Sequence, residues 1–238
     1  MQRREVLGTL AAVAAVAMRA GDARAEDKPV VQAPTPGRHQ VVPLPFDPKK
    51  IKGLSDKLLT SHHDNNYAGA VKNLNAVEAQ IAALPKDAPA FVVAGLRERE
   101  LTFANSKVLH ELYFGNLGGD GKVSGSLGTA LANAFGSLGT FESQLHATAM
   151  ALAGGSGWAT LQYSLHLGEL RIVGSGGHVQ TLAAGVPLLV LDMYEHAFAL
   201  DYGAAAAKYL DAFFQTVQWD EVARRYDKAL AAHKALRG

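Results

Sequence analysis

The stretch "LDMYEHAFALDY", residues 191–202, decides how the rest of the chain is read. It sets Asp192 and His196 four residues apart, inside an apolar run that starts at Val186. A carboxylate and an imidazole are costly to bury unless each finds a partner, so the pair has two readings. In one, Asp192 ends a strand and caps the next turn, while His196 lies in an ordinary hydrogen bond. In the other, both hold a single metal ion, for which carboxylate and imidazole are standard ligands. D-x-x-x-H by itself does not separate the two.

Two further histidines strengthen the metal reading. Residues 54–84 keep apolar side chains at spacings of three and four, with Ser55 available as a cap and Pro85 as a stop, which predicts a helix. His62 sits at its polar-to-apolar boundary. A second helix is predicted over 89–114, with His110 near its end, and "PKDAP" joins the two into an antiparallel hairpin. A residue early in one arm and one late in the other then lie close together. Three imidazoles and one carboxylate suit Mn or Fe with a position open for solvent or substrate, and ligand type alone leaves zinc open. His63 is a weaker ligand candidate on the same turn, and His146 and His166 read as packing or surface residues. His178, in the glycine-rich "GSGGHVQ" (174–180), is placed to approach the centre and donate a hydrogen bond to solvent on the metal.

Beyond the hairpin, "GNLGGDGKVSG" (115–125) has no periodicity and reads as a hinge. Residues 127–152 look helical despite Gly136 and Gly139. "GWATLQYS", "GELRIVG" and "VPLLVLDM" read as three strands, and helices over 202–214 and 219–233 close the chain. The expected fold is α+β: an N-terminal antiparallel helical hairpin (44–118), then a domain (119–238) with a three-stranded antiparallel sheet flanked by helices. There is no internal repeat.

At 48% hydrophobic residues, the 238-residue chain has material for a substantial core. Its 23 basic and 22 acidic side chains are mixed along the sequence, so nucleic acid is a poor partner. With no cysteine, disulfides, thiolate chemistry and Cys-bound zinc are excluded.

The first 25 residues carry Arg3 and Arg4, an apolar segment from Val6 to Met18 too short to span a bilayer, and an Ala23-Arg24-Ala25 site for a signal peptidase. Arg3, Arg4, Glu5, Val6 and Leu7 resemble a twin-arginine export signal. The expectation is cleavage after Ala25, a nearly neutral periplasmic chain with no integral membrane segment, and an extended lead-in over 26–43.

At these residues the chain resembles the iron/manganese superoxide dismutases. "LDMYEHAFALDY" is similar to the family's D-x-W-E-H-A-Y-Y-x-x-Y segment, "GSGWATL" to the approach to its sheet, and "SHHDNNYAGAVKNLN" (61–75) to its first-helix motif H-H-x-x-H-H-x-x-Y-V-x-x-L-N. "LHELYF" (109–114) is similar to its second-helix segment. The resemblance implies His62, His110, Asp192 and His196 as ligands of one Mn or Fe ion per subunit. It implies superoxide as substrate, with dioxygen and hydrogen peroxide as products. It gives Glu195 the role of reaching across a two-fold interface to a partner's ligand histidine, so a homodimer is expected, with pairing of dimers into a tetramer left open. His178 takes the position of the solvent-contacting donor, and Ser106 stands where iron-type members place a glutamine.

The departures are as specific. The family's gate tyrosine falls at Ala70 and the histidine paired with it at Asn66. The family's tryptophan is Tyr194, and Phe198 and Ala199 replace tyrosines after the last ligand. Tyr67, one helical turn before Ala70, is the residue expected to supply part of the lost phenol's work. A metal-binding or structural homologue with little dismutase activity is the competing expectation.

Overall fold

The first helix starts where the sequence offers a cap: Ser55 Oγ accepts from Leu58 N at 3.0 Å, and α1 runs Asp56–Ser61. The computed structural model describes residues 35–237; the export signal expected over 1–25 and the lead-in as far as residue 34 lie outside them. In place of one continuous helix over 54–84, the backbone passes through a π turn, His62–Tyr67, in which Ala68 N–H reaches back to His63 O. Helix α2 then resumes as Ala68–Ala82. A turn closed by Ala88 N to Pro85 O leads into α3, Ala90–Gly115, and the two arms pack along each other.

The helix expected over 127–152 is two. Gly136 takes a φ of +87°, which a side chain would resist, and ends α4 (Gly125–Phe135). Ser137 then caps α5 (Leu138–Met150) by accepting from Thr140 N. The stretch expected as a hinge is pinned instead: Gly119 N and Gly121 N donate to Thr216 O and Val217 O, and Gln218 N to Asn116 O. Gly119 and Gly121 serve close approach to that neighbouring segment.

The sheet forms as expected from β1 (Trp158–Ser164), β2 (Glu169–Ser175) and β3 (Gly185–Asp192), in the order β2-β1-β3 with both pairs antiparallel. Central β1 is buried at every residue. Pro187, which has no N–H to give, lies on edge strand β3, whose pairing with β1 shifts by one residue there. α5 packs on β1 and β2, while α3 and α8 (Trp219–Arg237) pack on β3. After β3 come a short turn, Glu195–Ala197, one helical turn α6 (Ala199–Tyr202), and α7 (Ala206–Gln215). The helix expected from 202 thus begins at Ala206, after Gly203 breaks the chain at φ +53°. Leu58 and Phe114 of the hairpin share one core cluster with Trp158 and Leu189 of the sheet and Phe213 of α7. The expected divisions 44–118 and 119–238 therefore share a single core.

This arrangement brings the ligand-type residues together. Cross-strand register sets Trp158, first residue of β1, directly opposite Asp192, last of β3. Behind them, buried Arg225 donates to Asn116 Oδ1 and Leu188 O, tying the end of α3 to β3 and α8.

Candidate metal centre

His62, His110, Asp192 and His196 converge, each offering one atom, with all four atoms within 4.8 Å of one another. They come from the π turn, the end of α3, the end of β3 and the turn after it, so no single segment holds the set. Asp192 is divided between two tasks. Its Oδ1 accepts from Tyr194 N at 2.9 Å, and its main-chain carbonyl accepts from the Tyr209 hydroxyl at 2.8 Å. Its Oδ2 faces the three Nε2 atoms of His62, His196 and His110, at 3.1, 3.2 and 3.7 Å.

Those separations fit a shared cation. Ligand atoms about 2.1 Å from one ion, at angles of 90–120°, stand about 3.0–3.6 Å apart. The donor chemistry agrees. His110 Nδ1 donates to Ser106 O at 2.7 Å, which leaves the Nε2 lone pair free to bind. His62 Nδ1, His62 Nε2 and His110 Nε2 are buried without a hydrogen-bond partner, although polar groups in a core are almost always satisfied. A cation coordinated by Nε2 of both residues would satisfy two of these three atoms.

Electrostatics set the same protonation states. Burial pushes the His110 imidazole down to about 3 against the attraction of the Asp192 charge, and burial lowers His62 in the same way. Burial works to raise Asp192, but the His196 and His62 imidazoles beside its carboxylate outweigh it and hold the carboxyl below the usual range. At His62, His110 and Asp192 the centre therefore presents neutral imidazoles and an anionic carboxylate, the forms a divalent or trivalent ion binds. Three of the four side chains are closed to solvent, and His196 keeps 26% exposure.

His178 lies in the loop after β2, close to the centre. Trp158 Nε1 donates to its Nδ1 at 2.9 Å, and Asn105 Nδ2 donates to its carbonyl oxygen at 2.6 Å. Its ring stacks on Tyr194 at 5.0 Å between centroids, and Tyr194 stacks on His196 at 5.3 Å. A continuous stack thus runs from His178 to His196, one of the four converging residues. Trp158, which the sequence reading did not single out, also packs edge-on against His110 at 5.2 Å. Its position opposite Asp192 is visible only once the strands are paired.

Tyr67, expected to supply a phenol, has a hydroxyl already engaged on both sides. It donates to Glu111 Oε1 at 2.7 Å and accepts from Val42 N at 2.8 Å, while its ring lies 6.3 Å from that of His110. Ala70 is buried and puts no polar atom where a gate phenol was expected. His63 turns its Nε2 to Val42 O and its Nδ1 to Asp64, away from ligand duty. Glu195 is exposed at the first residue of the turn that carries His196. His146 is half-buried on α5, apart from the centre. Among the described residues, no helix is long and apolar enough to cross a membrane.

A sequence family described as "Iron/manganese superoxide dismutases, C-terminal domain" matches residues 123–225. A protein named superoxide dismutase [Fe] from Cupriavidus metallidurans is 46% identical over 193 residues, which cover 81% of this chain and 98% of that protein. A superoxide dismutase [Fe] from Aquifex pyrophilus is 34% identical over 84% of this chain and 98% of its own length. A superoxide dismutase [Mn] 1 from Halobacterium salinarum is 33% identical over 80% and 96% respectively.

Proposed function

The chain belongs to the iron/manganese superoxide dismutase family, and from that membership we propose that it converts superoxide to dioxygen and hydrogen peroxide at a single Mn or Fe ion per subunit. The observation that carries the reading is the convergence of three imidazole Nε2 atoms on one oxygen of buried Asp192. His62, His110, Asp192 and His196 hold the ion, which when bound supplies a one-electron couple able to oxidise one superoxide and reduce another.

The chain's own groups set the conditions for that exchange. The anionic carboxylate lowers the charge of the centre, and the three imidazoles complete a largely buried set that keeps the ion in place. His178 is the proton donor nearest in kind to the work required. An indole N–H only donates, so the Trp158 bond leaves the His178 proton on Nε2. With the gate phenol and its histidine replaced by Ala70 and Asn66, His178 carries more of the proton supply, and turnover is lower than in a centre with both. Proton transfer by positioned groups is commonly worth about 10² to 10⁴ in rate.

The assembly is a homodimer in which Glu195 supports His196 of the other copy, an arrangement that repeats itself about a two-fold axis. The chain is exported to the periplasm by the twin-arginine route. Folding before export lets the cell load Mn or Fe ahead of tighter-binding Cu and Zn.

The test is the superoxide decay rate per bound metal, on protein recovered from the periplasm with its metal identified in the same sample. Fast decay carried by Mn or Fe is expected. Fully metallated protein that decays superoxide no faster than an Asp192→Asn variant would move the assignment to a metal-binding role.

A further inference from the structure

Upstream of the helices, residues 37–42 form a strap outside any helix or strand, and the hydrogen bonds holding it fall on the arm that carries His62. Gly37 N donates to Glu78 Oε2 at 2.9 Å, and His39 Nε2 lies 2.9 Å from Glu78 Oε1. His39 N donates to Asn75 Oδ1 at 2.8 Å, and Asn75 Nδ2 donates back to His39 O at 2.9 Å. The strap ends at Val42, whose peptide groups are used on both sides. Its N–H donates to the Tyr67 hydroxyl and its carbonyl accepts from His63 Nε2, each at 2.8 Å. Tyr67 passes the connection to Glu111 on α3, which Lys107 also holds at 2.8 Å.

Apolar burial does not explain this attachment, since Val41 and Val42 are 41% and 54% exposed. Its two terminal contacts are placed in a particular way. His63 and Tyr67 are the second and last residues of the π turn whose first residue is the ligand His62. π turns are rare, and single ones inside α-helices are frequent at functional sites. Here one residue of the strap grips the turn at both ends.

We propose that Val42 and Tyr67 are positioning residues for the metal centre: the strap holds the π turn in the form that aims His62 at Asp192, so strap docking and metal binding reinforce each other. This rests on the metal-centre reading above. Coupling of this kind is reciprocal. The ion protects the strap, and loosening the strap loosens the ion by the same factor.

Both directions are measurable on the whole chain. Arg38 is an exposed trypsin site within the strap, and Lys86, exposed in the hairpin turn, serves as a reference site. Mn(II) is expected to slow cleavage after Arg38 about ten-fold relative to cleavage after Lys86, the effect of one strong net hydrogen bond. In the other direction, Mn(II)-loaded Tyr67→Phe and Asn75→Ala are each expected to lose metal to a chelator about ten-fold faster than the unaltered chain. Asn75→Ala is the decisive variant, because it cuts two strap bonds well away from the ligands and survives any folding failure of Tyr67→Phe. Cleavage after Arg38 that ignores Mn(II), or metal loss from Asn75→Ala at the unaltered rate, would overturn the coupling while leaving the metal centre intact. A chain that binds neither Mn nor Fe would overturn both.

Discussion

The indole Nε1 of Trp158 donates to Nδ1 of His178 across 2.9 Å, and Trp158 itself stands opposite Asp192 in the sheet. One residue thus connects the geometry of the β1–β3 pair to the protonation pattern of the loop histidine. Trp158→Phe keeps an aromatic ring but removes the indole N–H and its bond, freeing Nδ1 to take the proton. Turnover per bound metal is expected to fall about 10- to 100-fold, the usual scale for losing an outer partner of a metal centre. An unchanged rate at full metal content would show that the bond has no part in proton supply.

Removal of a ligand acts on binding before it acts on chemistry. His110→Gln and Asp192→Asn are each expected to leave the purified protein with less than a tenth of the normal metal, read by elemental analysis. Asp192→Asn also deprives His62 and His196 of their charged partner. Normal metal content in either variant would remove that residue from the ligand set.

Stability of the metal-free protein is expected to fall as pH falls below 6.5. Burial lowers His110 from its ordinary 6.5 to about 3. In that window the unfolded chain binds a proton the folded chain refuses, and folding is penalised as pH drops. Asp192, held below its ordinary 3.8, contributes stability that is fully present above pH 3.8 and is lost as pH falls below it. Urea unfolding at pH 7, 5.5 and 4.5 gives the slope, and His110→Gln, which cannot titrate, is expected to flatten it. A level profile in the unaltered protein would contradict the burial argument.

Exposed Glu195 provides the test of assembly. The unaltered chain is expected to sediment as a dimer, and Glu195→Ala to dissociate at roughly ten-fold higher concentration, from loss of charged hydrogen bonds to the other copy. Identical sedimentation of the two across a dilution series would leave Glu195 as a solvated surface charge.

Gly157, at φ +147°, brings its backbone against Ser175, and its carbonyl accepts from Met193 N at 2.9 Å beside Asp192. A methyl group there would run into the Ser175 carbonyl. Gly157→Ala is expected to cost about 3 kcal/mol of stability in a thermal or urea melt, and a loss under about 0.5 kcal/mol, within the range of ordinary surface changes, would mean that the strand ends can part without penalty.

Much of this protein was legible as a string. Apolar spacing located the hairpin, alternation and glycine-rich turns located the three strands, and the positions of His62, His110, Asp192 and His196 pointed to one centre, because ligand chemistry tolerates few residue types. Local signals misjudged four places. Gly136 broke a helix that periodicity alone would have continued, Gly119 and Gly121 proved to be points of close approach where a hinge was expected, a π turn replaced α-helix at His62, and Gly203 delayed the helix expected from 202. What the tertiary structure decided is of another kind. Trp158 reaches Asp192 and His178 only through strand pairing and a loop, and the Tyr67 hydroxyl is claimed by Val42 and Glu111 from opposite directions in sequence. Periodicity reports which face of an element is buried, whereas a hydrogen bond depends on where two distant segments meet, and that meeting is fixed by the packing of the whole core.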